Sequence, residues 1–260
     1  MTEASQACHN DTGSALLGLE SIVVAFGTTP APALDAVSLS VGSGELVSLI
    51  GPNGAGKSTL LRTAAALLVP RSGIVRVGGR DVRELSRREV ARSVALVPQG
   101  EDLGSGFRVA EVVGMGRSPH QGMWMRTTSA DHGAVESALR RCDLAELAER
   151  RLDTLSGGER RRVAVARALA QQPRVLLLDE PAAFLDVRHR FELEALLANI
   201  VATERIACVV AMHDLNAAAR MSARVALLHA GKLLAIGPPH EVMRPELMRR
   251  AFGVDIEVRS

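Results

Sequence analysis

The chain has 260 residues, 47% of them hydrophobic and 23% charged, with a net charge of +2. That length and apolar content are enough for one large domain with a packed core. The near-neutral charge argues against a nucleic-acid binder, and no apolar run of about 18 residues is available to cross a membrane. The three cysteines, Cys8, Cys142 and Cys208, are scattered and show neither disulfide nor metal spacing, which fits a reducing compartment.

Residues 1–15 are polar, lack the basic and apolar regions of a signal peptide, and read as a disordered tail. Cys8 lies beside His9 in that tail, with no third metal ligand nearby. Residues 16–260 read as a single α/β domain, with core segments 16–99 and 155–260 and an inserted helical subdomain over about 100–154. "LESIVVAF", Leu19 to Phe26, is apolar, rich in β-branched residues, and ends at Gly27, so it predicts a strand. "VSLSV" alternates like a half-buried strand, "GSGE" is a turn, and "LVSLI" is a buried strand. A glycine loop and a helix over Lys57 to Leu68 follow. "GIVRVGGRDV" predicts a hairpin around Gly78-Gly79. "SRREVARSV" predicts a short helix with Ser86 and Glu89 forming a capping box, and "ALVPQ" is a short strand. Beyond Gly100 the pattern turns helical. "RVAEVVGMGRSPH" is a helix stopped by Pro119, "QGMWMRTT" is a linker, and "SADHGAVESALRRCDL" is a helix with Ser129 as its N-cap. Strands return with "RVLLLDE", "IACVVAMH" and the hairpin "RVALLHAGKLLAIG", separated by the helices "RFELEALLANIVATE" and "DLNAAARMS". Alternating strands and helices predict an α/β sheet core.

Only two of the 31 basic residues are lysines, Lys57 and Lys232. One of them sits in "GPNGAGKS", Gly51 to Ser58, which fits G-x-x-x-x-G-K-[ST] and lies between an apolar strand and a helix. Glycines in such a loop let backbone N–H groups turn toward phosphates, and the helix N-terminus adds partial positive charge. The lysine reaches the β- and γ-phosphates and the Ser58 hydroxyl is a Mg²⁺ ligand. "VLLLDEP" is an apolar strand ending in two carboxylates. Asp179 is placed to hold Mg²⁺ through water, and Glu180 to orient or deprotonate an attacking water.

With these residues in place, the chain resembles the nucleotide-binding subunits of ATP-binding cassette (ABC) transporters. "LSGGE", Leu155, Ser156, Gly157, Gly158 and Glu159, matches the signature motif of that family. "VPQ" puts Gln99 at the Q-loop position, "MHD" puts His213 at the switch-histidine position, and "FLD" puts Asp186 at the D-loop position. Order and spacing match over roughly residues 16–260. The resemblance implies a P-loop NTPase core with an antiparallel β subdomain and an inserted helical subdomain. It implies ATP and Mg²⁺ as cofactors, with Gly51, Pro52, Asn53, Gly54, Ala55, Gly56, Lys57, Ser58 and Thr59 around the nucleotide and Phe26 against adenine. Ser58, Gln99 and Asp179 would serve the metal, and Glu180, His213 and Gln99 the hydrolysis. The signature loop would face the ATP held by a second copy of the chain, which accounts for a second phosphate-type loop without a lysine. Ala182 and Ala183 depart from the family, which often has small hydroxyl residues there, and Phe184 precedes the D-loop.

The stretch "GRSPH" after the Q-loop resembles the branch that powers uptake of iron–siderophore, haem and cobalamin, and so do "DEPAAFLDVRHRFELEALL" and the tail "GPPHEVMRPELMRRAFGVDIEV". In that branch Arg117 and His120 can serve packing and capping. The implied partners are a second copy, two transmembrane permease subunits and, indirectly, a periplasmic or surface substrate-binding protein, with the chain at the cytoplasmic face of the inner membrane. An exporter cassette and a soluble ABC ATPase without transport are the alternative readings. The Arg160–Arg162 run is not a nucleic-acid stripe, because successive helix positions turn by about 100°.

Overall fold

The computed structural model describes residues 15–27, 31–100, 103–104, 106–122 and 127–253. Residues 1–14 of the expected tail over 1–15, with Cys8 and His9, residues 123–126 of the expected linker, and the last seven residues lie outside the described residues.

Two sheets organise the chain. β1 (Leu17–Val24) and β2 (Leu34–Val41) pair antiparallel, and β4 (Ser72–Val77) and β5 (Arg80–Asp81) complete a sheet ordered β2-β1-β4-β5. The larger sheet contains β3 (Leu46–Ile50), β6 (Val94–Val97), β7 (Val175–Asp179), β8 (Ala207–Ala211), β9 (Arg224–His229) and β10 (Lys232–Gly237), in the order β10-β9-β3-β8-β7-β6. All its pairs are parallel except β10 on β9. β3, β7 and β8 are buried at every position, as parallel strands covered on both faces must be. The period-2 alternation divides their side chains between two cores. Val47, Leu49, Val175, Leu177, Val209 and Ala211 join β1, β2, β4 and helix α1 (Lys57–Ala64). Leu46, Ile50, Leu176, Leu178, Cys208 and Val210 face the other way, into the helical layer. There Cys142 and Cys208 are buried, free thiols whose burial pushes the Cys142 pKa up to about 12 and raises that of Cys208 as well.

α2 (Arg87–Ser93) buries Val90 in the first core, and the helical layer contains α3 (Val109–Met115), α4 (Ser129–Arg141), α5 (Gly157–Ala170), α6 (Val187–Glu204) and α7 (Leu215–Met221). The last two are α8 (Pro239–Val242) and α9 (Pro245–Phe252), each with a proline in its first turn. α3 and α4 pack on α5, and a buried ion pair ties them together. Arg117, 5% exposed, donates from Nε to Asp131 Oδ1 at 2.9 Å and from Nη1 to Ala170 O at 2.7 Å and Gln172 Oε1 at 2.9 Å. His120 Nε2 meets Gln171 O at 2.8 Å. Both residues of the "GRSPH" stretch therefore close the C-terminal end of α5.

Several element bounds differ from the sequence expectation. α3 ends at Met115 with Gly116 as its C-cap, ahead of Pro119, and α6 begins at Val187, three residues before the expected Arg190, because Asp186 caps it. β1 runs two residues earlier, because its pairing ends at Val24 on β2 and at Val23 on β4 and leaves Phe26 beyond the ladder. α1 stops at Ala64 because Ala66 takes a left-handed φ of 55°. Leu67 N then bonds Arg62 O and Ala66 N bonds Thr63 O, both at 2.9 Å, which is a Schellman termination with alanine where glycine is usual. α4 is capped by Thr128, not Ser129. Asp131 N donates to Thr128 Oγ1 at 3.2 Å and Thr128 N donates to Asp131 Oδ2 at 2.9 Å, a capping box closed by aspartate. The Ser86–Glu89 box is present as expected.

Candidate nucleotide site

The central strands end together. Register places Leu49 and Asp179 beside Ala211 and Val97 beside Leu178. Met212 N donates to Leu49 O at 3.1 Å and Glu180 N donates to Ala211 O at 3.0 Å. The residues just past these carboxyl ends are the glycine loop after β3, Glu180 after β7, His213 after β8 and Gln99 after β6. This is where ligands bind in open α/β sheets.

The glycine loop is shaped by close backbone approach. A Cβ on Gly51 would lie 2.0 Å from Leu228 O. Gly56 has φ 104° and a Cβ there would lie 2.7 Å from Ala33 O. Gly56 is the N-cap of α1, contributes no side chain, and is followed by a first turn without acidic residues. The first N–H groups of α1 are therefore left to an anion rather than to a cap. Lys57, 6% exposed, folds back over the loop and donates from Nζ to Gly51 O at 2.7 Å and Pro52 O at 3.1 Å. Burial lowers its pKa, and the Glu180 and Asp179 carboxylates oppose that shift. The lysine thus faces both acids of "DEP".

Glu180 is held on both oxygens. Gln99 Nε2 donates to its Oε2 at 2.6 Å, and His213 Nε2–H donates to its Oε1, since an ionised carboxylate only accepts. Its backbone takes φ 50°, a left-handed conformation that costs a non-glycine residue about 1–2 kcal/mol. Asp179 Oδ1 is buried and has no hydrogen-bond partner among the described residues. An orphaned carboxylate oxygen in such a place suits a cation. Ser58 sits in the first turn of α1. Half-exposed Phe26, 51% accessible, lies just beyond β1.

The second glycine segment is built differently. Ser156 N-caps α5: its Oγ accepts from Glu159 N at 3.2 Å, and Glu159 Oε2 accepts from Ser156 N at 2.7 Å. The Ser156 hydroxyl proton remains free to donate, and the α5 N-terminus carries its own partial charge. Gly157 lines a cleft of about 480 Å³ with Gly100, Leu103, Leu152, Arg160 and Phe184, and no described residue of the Gly51–Thr59 loop contributes to it. The three arginines after the signature diverge. Arg160 donates to Asp153 O at 3.0 Å, Arg161 to Glu180 O at 3.4 Å, and Arg162 approaches Glu192 at 3.6 Å.

Asp186 does more than its motif suggests. It N-caps α6, accepting from His189 N at 2.9 Å on Oδ1 and from His189 Nδ1–H at 2.8 Å on Oδ2. These bonds hold its carboxyl below the ordinary range. Two residues earlier Phe184 is 98% exposed with φ 65°. Ala182 and Ala183 line a cleft of about 380 Å³ that Glu180, His213 and Leu193 also border. Sequence reasoning misses His189 and Arg161, since their contacts join segments distant along the chain.

Comparison with known proteins agrees with this arrangement. The profile of the ABC transporter family matches residues 34–183. The chain is 46% identical, over 227 residues, to the Hemin import ATP-binding protein HmuV of Streptomyces coelicolor, which spans 87% of this chain and 80% of that protein. A solved metal-chelate type ABC transporter in an inward-facing conformation superposes with a TM-score of 0.82 at 25% identity, over 93% of this chain and 90% of the other. A bacterial ABC transporter cassette solved as a dimer gives a TM-score of 0.75 at 27% identity, over 86% and 98% of the two chains. Strand ends that gather a phosphate loop, two carboxylates, a glutamine and a histidine, together with these matches, place the chain in the ABC transporter family, as one of its ATP-hydrolysing cassettes.

Proposed function

We propose that the chain energises a bacterial importer of metal chelates, of the iron–siderophore, haem or cobalamin kind, at the cytoplasmic face of the inner membrane. The observation that carries the ATPase chemistry is the clamping of Glu180 between Gln99 and His213, opposite Lys57. Support for the importer branch comes from the "GRSPH" stretch, from the hemin-import relative and from the metal-chelate transporter fold.

In this reading residues 51–59 wrap the triphosphate, the α1 N–H groups and Lys57 neutralise its charge, and Phe26 packs against the base. Ser58, Gln99 and the orphaned Asp179 oxygen would hold Mg²⁺, which supplies Lewis-acid charge neutralisation when bound. Glu180 takes a proton from the attacking water, and His213 fixes the carboxylate and reaches toward the γ-phosphate. The Ser156 hydroxyl, the Gly157 and Gly158 backbone and the α5 N-terminus serve the nucleotide on a second copy, with Asp186 at the same interface. That places an anion-binding helix end on each of two surfaces of one chain, each completing the other's site. Two permease subunits receive the motion, and a substrate-binding protein acts upstream of them.

Glu180→Gln tests the chemistry. Turnover should fall by about 10²–10⁴ with nucleotide binding retained, and ATP should now accumulate a stable dimer. Hydrolysis at the parent rate would remove Glu180 as the base.

A further inference from the structure

We propose that His189 is a positioning residue for the shared site, a clamp that makes the D-loop and the signature helix move as one piece. The inference rests on the reading above, in which both elements act on the nucleotide of a second copy.

The geometry is specific. The His189 ring donates from Nδ1 to Asp186 Oδ2 at 2.8 Å while its own backbone N–H donates to Asp186 Oδ1 at 2.9 Å. Both oxygens of the D-loop carboxylate are thereby committed to one residue, and the ring orientation is set. The ring then lies against α5 at Gly158. A Cβ there would stand 2.8 Å from His189 Cδ2, 2.9 Å from Cγ and 3.2 Å from Cβ. A side chain at Gly158 would therefore collide with the imidazole. One helical turn further on, Arg162 of α5 approaches Glu192 of α6 at 3.6 Å, and Glu192 also accepts from Arg188 at 2.8 Å. α5 and α6 are therefore joined twice at their N-terminal ends, once through the ring and once through this ion pair.

The consequence is mechanical. A shift of Asp186 drags the ring, and the ring can only follow by moving the backbone of Gly158 or leaving it. Close-packed contacts of this kind transmit displacement rather than absorb it. Contact of the D-loop with a partner would then set the angle at which the N–H groups of Gly157 and Gly158 meet phosphate, without touching the chain's own P-loop.

The test uses the full chain, in wild-type and Glu180→Gln forms, each with His189→Ala and with the milder His189→Asn, which keeps an amide N–H for Asp186 but no ring. Steady-state ATPase assays, binding of a fluorescent ATP analogue to the monomer, and ATP-driven dimerisation by analytical ultracentrifugation are measured together. The expected result is a fall in kcat of about tenfold with KM and monomer affinity within about twofold of the parent, and a dimer dissociation constant raised about tenfold in the Glu180→Gln background. Dimerisation and kcat of both variants within about twofold of their parents would overturn the clamp. So would a parallel loss of monomer nucleotide affinity, which a general structural defect produces. Failure of the Glu180→Gln parent itself to dimerise with ATP would instead overturn the shared-site reading beneath it, and is visible without any His189 variant.

Discussion

Arg117→Met should cost the fold far more than an exposed arginine would. The side chain is 6% exposed and makes three bonds, to Asp131 Oδ1, Ala170 O and Gln172 Oε1. Methionine keeps the length and apolar stem but leaves the Asp131 carboxylate, itself 5% exposed in its side chain, without its counter-charge. Breaking one side of a buried pair typically costs about 3–5 kcal/mol, because the remaining charge stays desolvated. In a chain of this size that corresponds to a melting temperature lower by roughly 10 °C. Adding Asp131→Asn should return part of the loss, since the orphaned charge is then gone while the Thr128 cap keeps one acceptor. Urea unfolding followed by circular dichroism measures both. A loss below about 1 kcal/mol for Arg117→Met, or a double variant as unstable as the sum of its singles, would show that the pair does not hold α4 to α5.

The same carboxylate carries a pH prediction. Hydrogen bonds from Thr128, then the Arg117 contact, hold the Asp131 pKa down to about 2, against an ordinary value of 3.8. Its folded pKa is depressed, so its contribution is complete above about pH 4 and is lost as pH falls toward 2. Stability of the wild type relative to Asp131→Asn should therefore shrink over that window, and a difference that does not change with pH would contradict it. Lys57→Ala should weaken ATP binding by about ten- to a hundredfold, the scale of losing charge-assisted hydrogen bonds, when titrated with a fluorescent nucleotide. Wild-type affinity in that variant would speak against the P-loop assignment.

Much of the site is legible in the sequence because its chemistry is written in short segments. "GPNGAGKS" after a five-residue apolar strand already implies a loop followed by a helix N-terminus, and the buried strand and helix α1 flank it. "VLLLDE" likewise becomes β7 with Asp179 at its end. The rest depends on contacts between distant segments or on backbone shapes with no marked residue. Ala66 ends α1 in a conformation usually signalled by glycine. Thr128 and Ser129 are both good caps, and only the reach of Asp131 decides between them. Arg117 reads as a packing or capping residue, but its partners at 131, 170 and 172 come together only in the fold. His189, three residues past the D-loop aspartate, is one more polar residue on a helix by its sequence. Only the tertiary packing that sets Gly158 under its ring distinguishes it.

The central claim is that the signature loop of one chain completes the ATP site on another. Mixing two inactive variants tests it most directly. A Lys57→Ala chain keeps Ser156 and the α5 N-terminus, and a Ser156→Arg chain keeps the P-loop. A mixed pair contains one complete site only if the loops work across chains. ATPase activity of the mixture should rise clearly above the summed activities of the separate variants, and should grow with total protein concentration. Activity equal to that sum at every ratio would contradict the claim and return the signature loop to its own chain.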